Sequence, residues 1–499
     1  MHGITVLEAS TNVGATRQVD SAIPCVIGTC DIRRGSLSRE EKLYKPVIAY
    51  SFEEAAEKLG YEDFDWGMFT LHEAMYVLFK IFNISPVVFI NVQGASEADW
   101  TTVTDEAIRE YSTDGDGNKT YTVSALYADP ESITITGLTP GTDYTVAIDE
   151  RTGQVVITDK NKKITSTTKA TYKKINTASA ASFTGGYSAT TGKTSGIDLV
   201  DDVYHTCGVL PSVLLAPGYT GGDSHAAIES ALIAKARKYD GAFSAIAAID
   251  LDATETKYDA IVTAAKNTAD TYAVQCWPAA KFDLKITEDG ETYTETQLIH
   301  RSTIFAGMCA LTDADYGGIP YASPSNRACP IPGGCAVNSG NTITYPEINL
   351  TFAQANAVEN AGVWTGLRLD TWKAWGTYTS AVNASTDPKD IFISVRRMLN
   401  WHKNTFIVNY FSKIDNPAST RLIENLIDGE NKRIDGLKAI GAVAGGKMEF
   451  RASDNPVSSI LAGKLTFRQK LGFWVPAREI ENTIEIDTDL VANALGGEA

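Results

Sequence analysis

Gly208-Val209-Leu210-Pro211-Ser212-Val213-Leu214-Leu215-Ala216-Pro217-Gly218 reads as a buried strand that runs into a Pro-Gly turn. The segment from about 224 to 239 has helical periodicity, with Ala227, Ile228, Ala231, Leu232 and Ala234 predicted on its buried face. Residues 243–249 predict a second strand, 258–269 a helix and 273–277 a third strand. Strand, helix, strand, helix and strand at this spacing imply a parallel sheet with right-handed crossovers. An α/β domain is therefore expected over 188–389.

Upstream, Ile23-Pro24-Cys25-Val26-Ile27-Gly28 reads as another buried strand entering a turn. Ser51, with Glu54 three residues on, predicts a capping box that opens a helix. Residues 69–82 predict a heavily apolar helix, and Pro86 interrupts before the strand Val87-Val88-Phe89-Ile90. Residues 21–92 thus read as an α/β segment behind an N-terminal arm, 1–20.

From 93 to 187 the composition shifts to Thr and Ser, and Trp100 is the only tryptophan. Ser132-Ile133-Thr134-Ile135, Tyr144-Thr145-Val146-Ala147-Ile148 and Val155-Val156-Ile157 alternate with a period of two. Asp149-Glu150-Arg151-Thr152-Gly153 reads as the hairpin turn between the last two. The stretch 135–146 resembles the fibronectin type III corner, in which a Tyr hydroxyl, here Tyr144, bonds back to the preceding turn. An inserted all-β domain is expected.

Residues 390–482 predict an α+β unit. Val395, Met398, Leu399, His402, Phe406 and Tyr410 line one side of its first helix, with Arg396, Arg397 and Lys403 elsewhere. Asn416-Pro417 reads as N-cap and first residue of a second helix, and Gly429 as its stop. Strands are expected at 465–468 and, in a C-terminal arm of 483–499, at Thr483-Ile484-Glu485-Ile486-Asp487. The expected fold class is α/β multidomain. Its N- and C-terminal parts would form an α+β core around the parallel-sheet domain, with the β domain inserted.

The chain has 499 residues, which at about 150 per domain suggests roughly three domains. With 43% hydrophobic residues it can bury a substantial core. Its net charge of −17, from 44 Lys+Arg against 61 Asp+Glu, repels phosphate backbones, so no nucleic-acid partner is expected. No apolar run approaches the ~20 residues of a membrane span, so no membrane insertion is expected. The first residues lack a basic region and a long apolar stretch, so no secretory leader is expected. Cys25, Cys30, Cys207, Cys276, Cys309, Cys329 and Cys335 are scattered and odd in number, as reduced thiols of a cytosolic folding compartment would be.

Catalytic signatures fail on spacing. Asp223-Ser224-His225 follows a strand and loop, but there is no G-x-S-x-G elbow, and a helix N-terminus capped by Asp223 or Ser224 explains the triplet. Gly192-Lys193-Thr194 would need a glycine at 187, where Tyr187 stands, to make a phosphate loop. Asp114-Gly115-Asp116-Gly117-Asn118 lacks the calcium-loop Gly and Glu, since Lys119 and Ala125 occupy those positions. Cys329 and Cys335 have no second pair at zinc spacing. No catalytic residue, cofactor or metal is expected, and the chain reads as a non-enzyme.

Several segments, in order, resemble the contractile phage tail sheath family. They are His2-Gly3-Ile4-Thr5-Val6-Leu7-Glu8, Leu214-Leu215-Ala216-Pro217-Gly218-Tyr219, Ile319-Pro320-Tyr321-Ala322-Ser323-Pro324-Ser325-Asn326-Arg327, Gly362-Val363-Trp364-Thr365-Gly366-Leu367-Arg368 and Val395-Arg396-Arg397-Met398-Leu399. The resemblance implies a subtilisin-like domain without protease activity and a scaffold role. Copies would stack as six-fold rings around an inner tail tube, with baseplate and tail terminator proteins as further partners. The particle, a phage or a phage-tail-like bacteriocin, would be assembled in the host cytoplasm and drive its tube through a bacterial envelope. The resemblance also implies that the arms join subunits by strand exchange, through Ile4, Thr5, Val6, Leu7 and Thr483, Ile484, Glu485, Ile486, Asp487. Arg421, Lys432 and Arg433, flanking a helix read as exposed, are the candidate tube contacts. A hydrolase on the α/β domain would instead need Ser and His side chains that converge. A surface-array or adhesin subunit would suit the β insert.

Overall fold

The computed structural model describes residues 20–63, 66–149, 152–288, 291–339 and 343–496. The Ile4–Leu7 arm lies outside them.

The chain opens with β1 (Pro24–Gly28), α1 (Arg39–Tyr44), β2 (Val47–Ala49), α2 (Phe52–Leu59), α3 (Thr70–Met75) and β3 (Val87–Asn91). Ser51 caps α2 by accepting from the Glu54 amide. The Glu54 carboxylate reaches one residue further back than expected, to the Tyr50 amide at 2.7 Å. The predicted apolar helix is α3 continued by a π-helical turn, Tyr76–Ile81.

β4 (Trp100–Ala107), β5 (Arg109–Thr113), β6 (Lys119–Thr122), β7 (Thr134–Ile135), β8 (Tyr144–Ile148), β9 (Val155–Asp159) and β10 (Lys169–Ile175) follow. They make two antiparallel sheets, ordered β4-β10-β7 and β5-β6-β9-β8. Their core is their own, built on Ile108, Tyr121, Ile133, Tyr144, Val155, Ile157 and Tyr172. The Tyr144 hydroxyl donates to the Ile133 carbonyl at 3.2 Å, a tie back across the preceding turn. The alternation expected at 132–135 shortens to β7 because Asp129 caps a 3-10 turn over Pro130–Ser132. This lobe is fastened down: the buried Arg33 side chain donates to the carbonyls of Leu126, Ala128 and Gly153, and Arg39 pairs with Asp129 at 2.6 Å.

Next come α4 (Ala180–Thr184), a small hairpin of β11 (Gly186–Ser188) and β12 (Lys193–Ser195), α5 (Val203–Cys207), β13 (Val213–Leu215), α6 (Ala226–Arg237), β14 (Ile246–Asp250), α7 (Tyr258–Ala264) and β15 (Ala273–Cys276). A long hairpin, β16 (Ala280–Glu288) and β17 (Glu291–Ile299), leads to α8 (Arg301–Asp315). β18 (Asn338–Ser339), β19 (Ile343–Thr344), α9 (Phe352–Asn360), β20 (Val363–Arg368) and β21 (Trp372–Trp375) complete this part.

One eight-stranded sheet, β2-β3-β1-β13-β14-β15-β20-β21, organises the molecule. Its inner strands pair in parallel, with Val26 opposite Phe89 on one side and Leu215 on the other. The edges β2 and β21 run antiparallel. Alternate residues face opposite layers, as the pleat requires. Val26, Leu215 and Ala248 pack with Met75, Phe305 and Met308, whereas Cys25, Ile27, Leu214 and Ile249 pack with Ile228 and Leu232.

The sheet corrects the expected division of the fold. Residues 21–92 supply three strands to the same sheet as 188–389 instead of joining the C-terminal part in an α+β core. Strand pairing between such distant segments leaves no local signature. On α6 the buried stripe is Ile228, Leu232 and Ala236; Ala227 and Ala234 are exposed.

α10 (Pro388–Ile391), α11 (Ile393–Tyr410), α12 (Thr420–Ala439), β22 (Gly445–Phe450), α13 (Val457–Leu461), β23 (Phe467–Gly472) and α14 (Thr488–Ala494) close the chain. α11 is tied to the loop that enters β14 by Asn404, which donates to the Ser244 carbonyl, and to α8 by the Arg397–Asp313 pair. Arg396 and Arg397, not expected on its packed side, are both buried. α12 starts at Ser419 and not at Asn416, and it passes through Gly429 without stopping. That glycine is a close-approach residue: a Cβ there would lie 3.1 Å from the Tyr410 hydroxyl of α11.

Candidate functional site: the C-terminal module and its projecting arm

The sequence triplet Asp223-Ser224-His225 forms a 3-10 turn ahead of α6, with no side-chain cap, and His225 Nδ1 lies 2.9 Å from the Gly221 carbonyl. Other acid, His and Ser groups gather at the end of β14. His300 Nδ1 is 2.6 Å from Glu73 Oε2, and the Ser302 amide donates to Asp250 Oδ1 at 2.7 Å. The Ser302 hydroxyl also donates to Asp250, so its hydrogen bond goes to a carboxylate and not to an imidazole base. Burial alone would lower the His300 pKa, but the Glu73 carboxylate outweighs it and raises it to about 9. Burial raises the Asp250 pKa, against the pull of His300 and Ser302. Burial pushes the Cys30 and Cys309 thiols up to about 12, away from the reactive thiolate form. Asp114 closes its own turn by accepting from the Asp116 and Asn118 amides. Among the described residues no group of three or more His, Cys, Asp or Glu is arranged to hold a metal.

The C-terminal module has a different character. β22 and β23 make a two-stranded antiparallel ribbon, and among the described residues both its outer edges are unpaired. Met448, Phe450, Phe467 and Leu471 lie on its half-buried or buried face; the exposed Lys447, Arg468 and Lys470 make the other face mainly basic, with the half-buried Glu449 among them. Gly446 is required for the ribbon to close, because a Cβ there would sit 2.6 Å from the Lys470 carbonyl.

Beneath the ribbon, Glu430 of α12 is fully buried and multiply bonded. It accepts from Arg433 Nε at 3.0 Å, from Gln469 Nε2 at 3.0 Å and from the Tyr410 hydroxyl at 3.3 Å. His402 bridges the same group: Nδ1 accepts from Arg433 at 2.9 Å, and Nε2–H donates to Gln469 Oε1 at 2.9 Å. That pattern uses the neutral ring, and burial, reinforced by the Arg433 charge, lowers the His402 pKa to about 4. α11, α12 and β23 are thereby locked together.

The same geometry corrects one candidate tube contact. Arg433 is buried and paired with Glu430, not exposed. Arg421 and Lys432 are exposed, and at 100° per residue they share one face of α12 with the exposed Asp428 and Asp435.

After β23 the chain is held first by Phe473, packed beside Met398 and Trp401, and by Trp474, which donates to the Gly441 carbonyl at 3.0 Å, and then by Arg478. Arg478 donates to Glu359 Oε2 at 2.9 Å and Asn360 Oδ1 at 3.0 Å, with its guanidinium 4.1 Å over the Tyr378 ring. Beyond that latch every described residue, 479–496, is exposed. Thr483–Asp487 form no strand within the chain, and Asp487 caps α14 instead. Ile480, Ile484 and Ile486 are each more than 80% exposed, and Leu495 is 84% exposed. The arm carries Glu479, Glu481, Glu485, Asp487 and Asp489 and no Lys or Arg after Arg478. The latch and α14 were not anticipated from the sequence; the unbroken acidic run after the last arginine is the signal that marks where the arm begins.

No protein-family model matches the chain. A putative prophage major tail sheath protein of Pseudomonas aeruginosa is 24% identical over 324 residues, covering 64% of this chain and 75% of that protein. The tail sheath protein of Escherichia phage P2 is 28% identical over 111 residues, 22% of this chain and 27% of that one. The chain is similar to contractile tail sheath proteins. That similarity supports the role of a structural sheath subunit. Two solved sheaths share its fold along nearly their whole length. The contracted sheath complex of the PVC extracellular contractile injection system has a TM-score of 0.54 at 12% identity, covering 98% of each chain. The contracted helical sheath of the anti-feeding prophage has a TM-score of 0.54 at 11% identity, covering 97% of this chain and 99% of that one. The tail sheath fold thus comprises the parallel-sheet core and antiparallel sheets described above.

Proposed function

We propose that copies of this chain stack as six-fold rings around an inner tail tube, and that contraction of the stack drives the tube through a bacterial envelope. The particle is a phage tail or phage-tail-like bacteriocin assembled in the host cytoplasm, with baseplate and tail terminator proteins at its ends. In this reading the eight-stranded layer is the non-catalytic, subtilisin-like domain, and the lobe over 93–187 is an insert facing outward.

The observation that carries the reading is the match between the arm and the ribbon. As a strand, 480–487 would place Ile480, Ile484 and Ile486 on one face and Glu481, Glu485 and Asp487 on the other. The ribbon offers an apolar face with Met448, Phe450 and Phe467 and a basic face with Lys447, Arg468 and Lys470. An arm added to a ribbon edge would align apolar with apolar and acid with base, while main-chain hydrogen bonds fix the register. Burying an isoleucine side chain contributes about 1.5–3 kcal/mol, so three stranded in water favour a partner. The ribbon has two free edges, and the second is available to the N-terminal arm, Ile4–Leu7.

Electron microscopy of the expressed protein tests the reading. Striated tubes are expected; flat lattices or persistent monomers would overturn it. Chains lacking residues 1–8, or everything after 482, are expected to fold but not to polymerise.

A further inference from the structure

The arm does not end with its strand. Seven more residues fold as α14, and its Leu490, Val491 and Ala494, with Leu495 just after it, share one solvent-exposed stripe. Among the described residues another short helix, at the ribbon, also exposes apolar side chains. α13, in the connection between β22 and β23, exposes Val457, Ile460 and Leu461 at i, i+3 and i+4, with Leu461 83% exposed.

We infer that α14 of one copy docks its Leu490–Leu495 stripe on α13 of a second copy, as a clasp that follows strand exchange. This rests on the arm reading above and adds its direction and end point. α13 lies at the Phe450–Phe467 end of the ribbon, since it belongs to the loop that joins them. An arm that runs antiparallel to β23 travels from the Gly472 end toward Phe467 and delivers α14 beside α13. Parallel addition to β23 would deliver it to the opposite end. The lengths agree: a strand of 480–486 spans about 23 Å and the six residues of β23 about 20 Å, so the helix begins just past the ribbon's end.

Charge selects the same occupant. Around α13 stand the exposed Lys464 and Arg468 and the half-buried Arg451, with Asp454 paired to Arg468 and Glu449 paired to Arg451. α14 brings Asp487 and Asp489 at its start and no basic residue. Among the described residues nothing of its own chain covers it, and this charge match favours a second copy as the partner.

Chains carrying Leu461→Cys and chains carrying Val491→Cys are mixed, assembled and mildly oxidised. Covalent dimers are expected from the mixture and from neither variant alone. Mixed tubes without dimers overturn the clasp, as does a cross-link inside monomers of the double variant. A second arm uses truncation. Chains ending at Asp487 are expected to form tubes that come apart at lower denaturant than the full chain, whereas unchanged tube stability overturns the clasp alone. Tubes from chains ending at Asn482 overturn the arm reading, and the clasp with it.

Discussion

Lys447 and Lys470 stand directly opposite each other across the β22–β23 ribbon, both exposed. Like charges in that position destabilise a sheet by up to about 1 kcal/mol. Glu449, 3.7 Å from Lys447, offsets part of that repulsion in the isolated subunit, and an acidic strand alongside would relieve the rest. Lys470→Glu is expected to raise the stability of the monomer by about 0.2–1 kcal/mol while weakening polymerisation. Thermal melting of the monomer and sedimentation under assembly conditions check the two effects. A variant that assembles as well as the parent would separate this pair from subunit joining.

The His402 knot predicts an acid-side loss. Its pKa falls from the ordinary 6.5 to about 4 on folding, so the unfolded chain binds the extra proton first. The contribution is fully present above pH 6.5 and is lost as pH falls toward 4. A shift of that size corresponds to about 3 kcal/mol. Facing the ring are Arg433 and Glu430 of α12 and Gln469 of β23. Unfolding by denaturant at pH 7.5 and pH 4.5 should show the loss, and His402→Gln should reduce it, leaving the part contributed by His72, whose pKa burial lowers to about 3.

His300 predicts the opposite limb. Its pKa rises on folding to about 9, so its contribution is fully present below pH 6.5 and disappears as pH climbs through 9. The carboxylates that face it are Glu73 of α3 and Asp250 of β14. Stability should fall between pH 7 and pH 9.5 in the parent and much less in His300→Gln. An equal alkaline loss in both would assign the effect elsewhere.

What could be read from the sequence was local in origin. The strands around Val213, Ile246 and Ala273 announced themselves as apolar runs bounded by turn residues, and helical spacing between them implied the parallel pairing. The period-two pattern of 483–487 was equally plain, but these residues pair with no strand among the described residues. Pairing of β1 with β13 was invisible because register between distant strands is set by tertiary packing, not by neighbouring residues. Gly429 looked like a helix stop since glycine lowers helix propensity by about 1 kcal/mol, a cost that the packing of α12 on α11 overrides. Arg433 looked like one more surface charge. Its burial follows from Glu430 one turn earlier, an i, i+3 pair that was present in the sequence and not used.

That burial separates the three candidate tube contacts by experiment. Arg421 and Lys432 share an exposed face with Asp428 and Asp435, a mixed-charge stripe suited to a modest polar contact that forms and releases. Reversing both, Arg421→Glu with Lys432→Glu, should leave the subunit's stability within about 0.5 kcal/mol, as surface changes usually do. The same double variant should give sheaths that form without tubes inside. Arg433→Glu should behave differently, since it leaves Glu430 beside a second carboxylate in a buried site, where breaking a pair costs about 3–5 kcal/mol. That variant should fail at folding, before any question of tube contact arises. Co-expression with the tube protein, followed by microscopy and by melting of the purified subunits, distinguishes the two. Tube-filled sheaths from the double variant would remove Arg421 and Lys432 from the contact, and a fully stable Arg433→Glu subunit would contradict the buried knot.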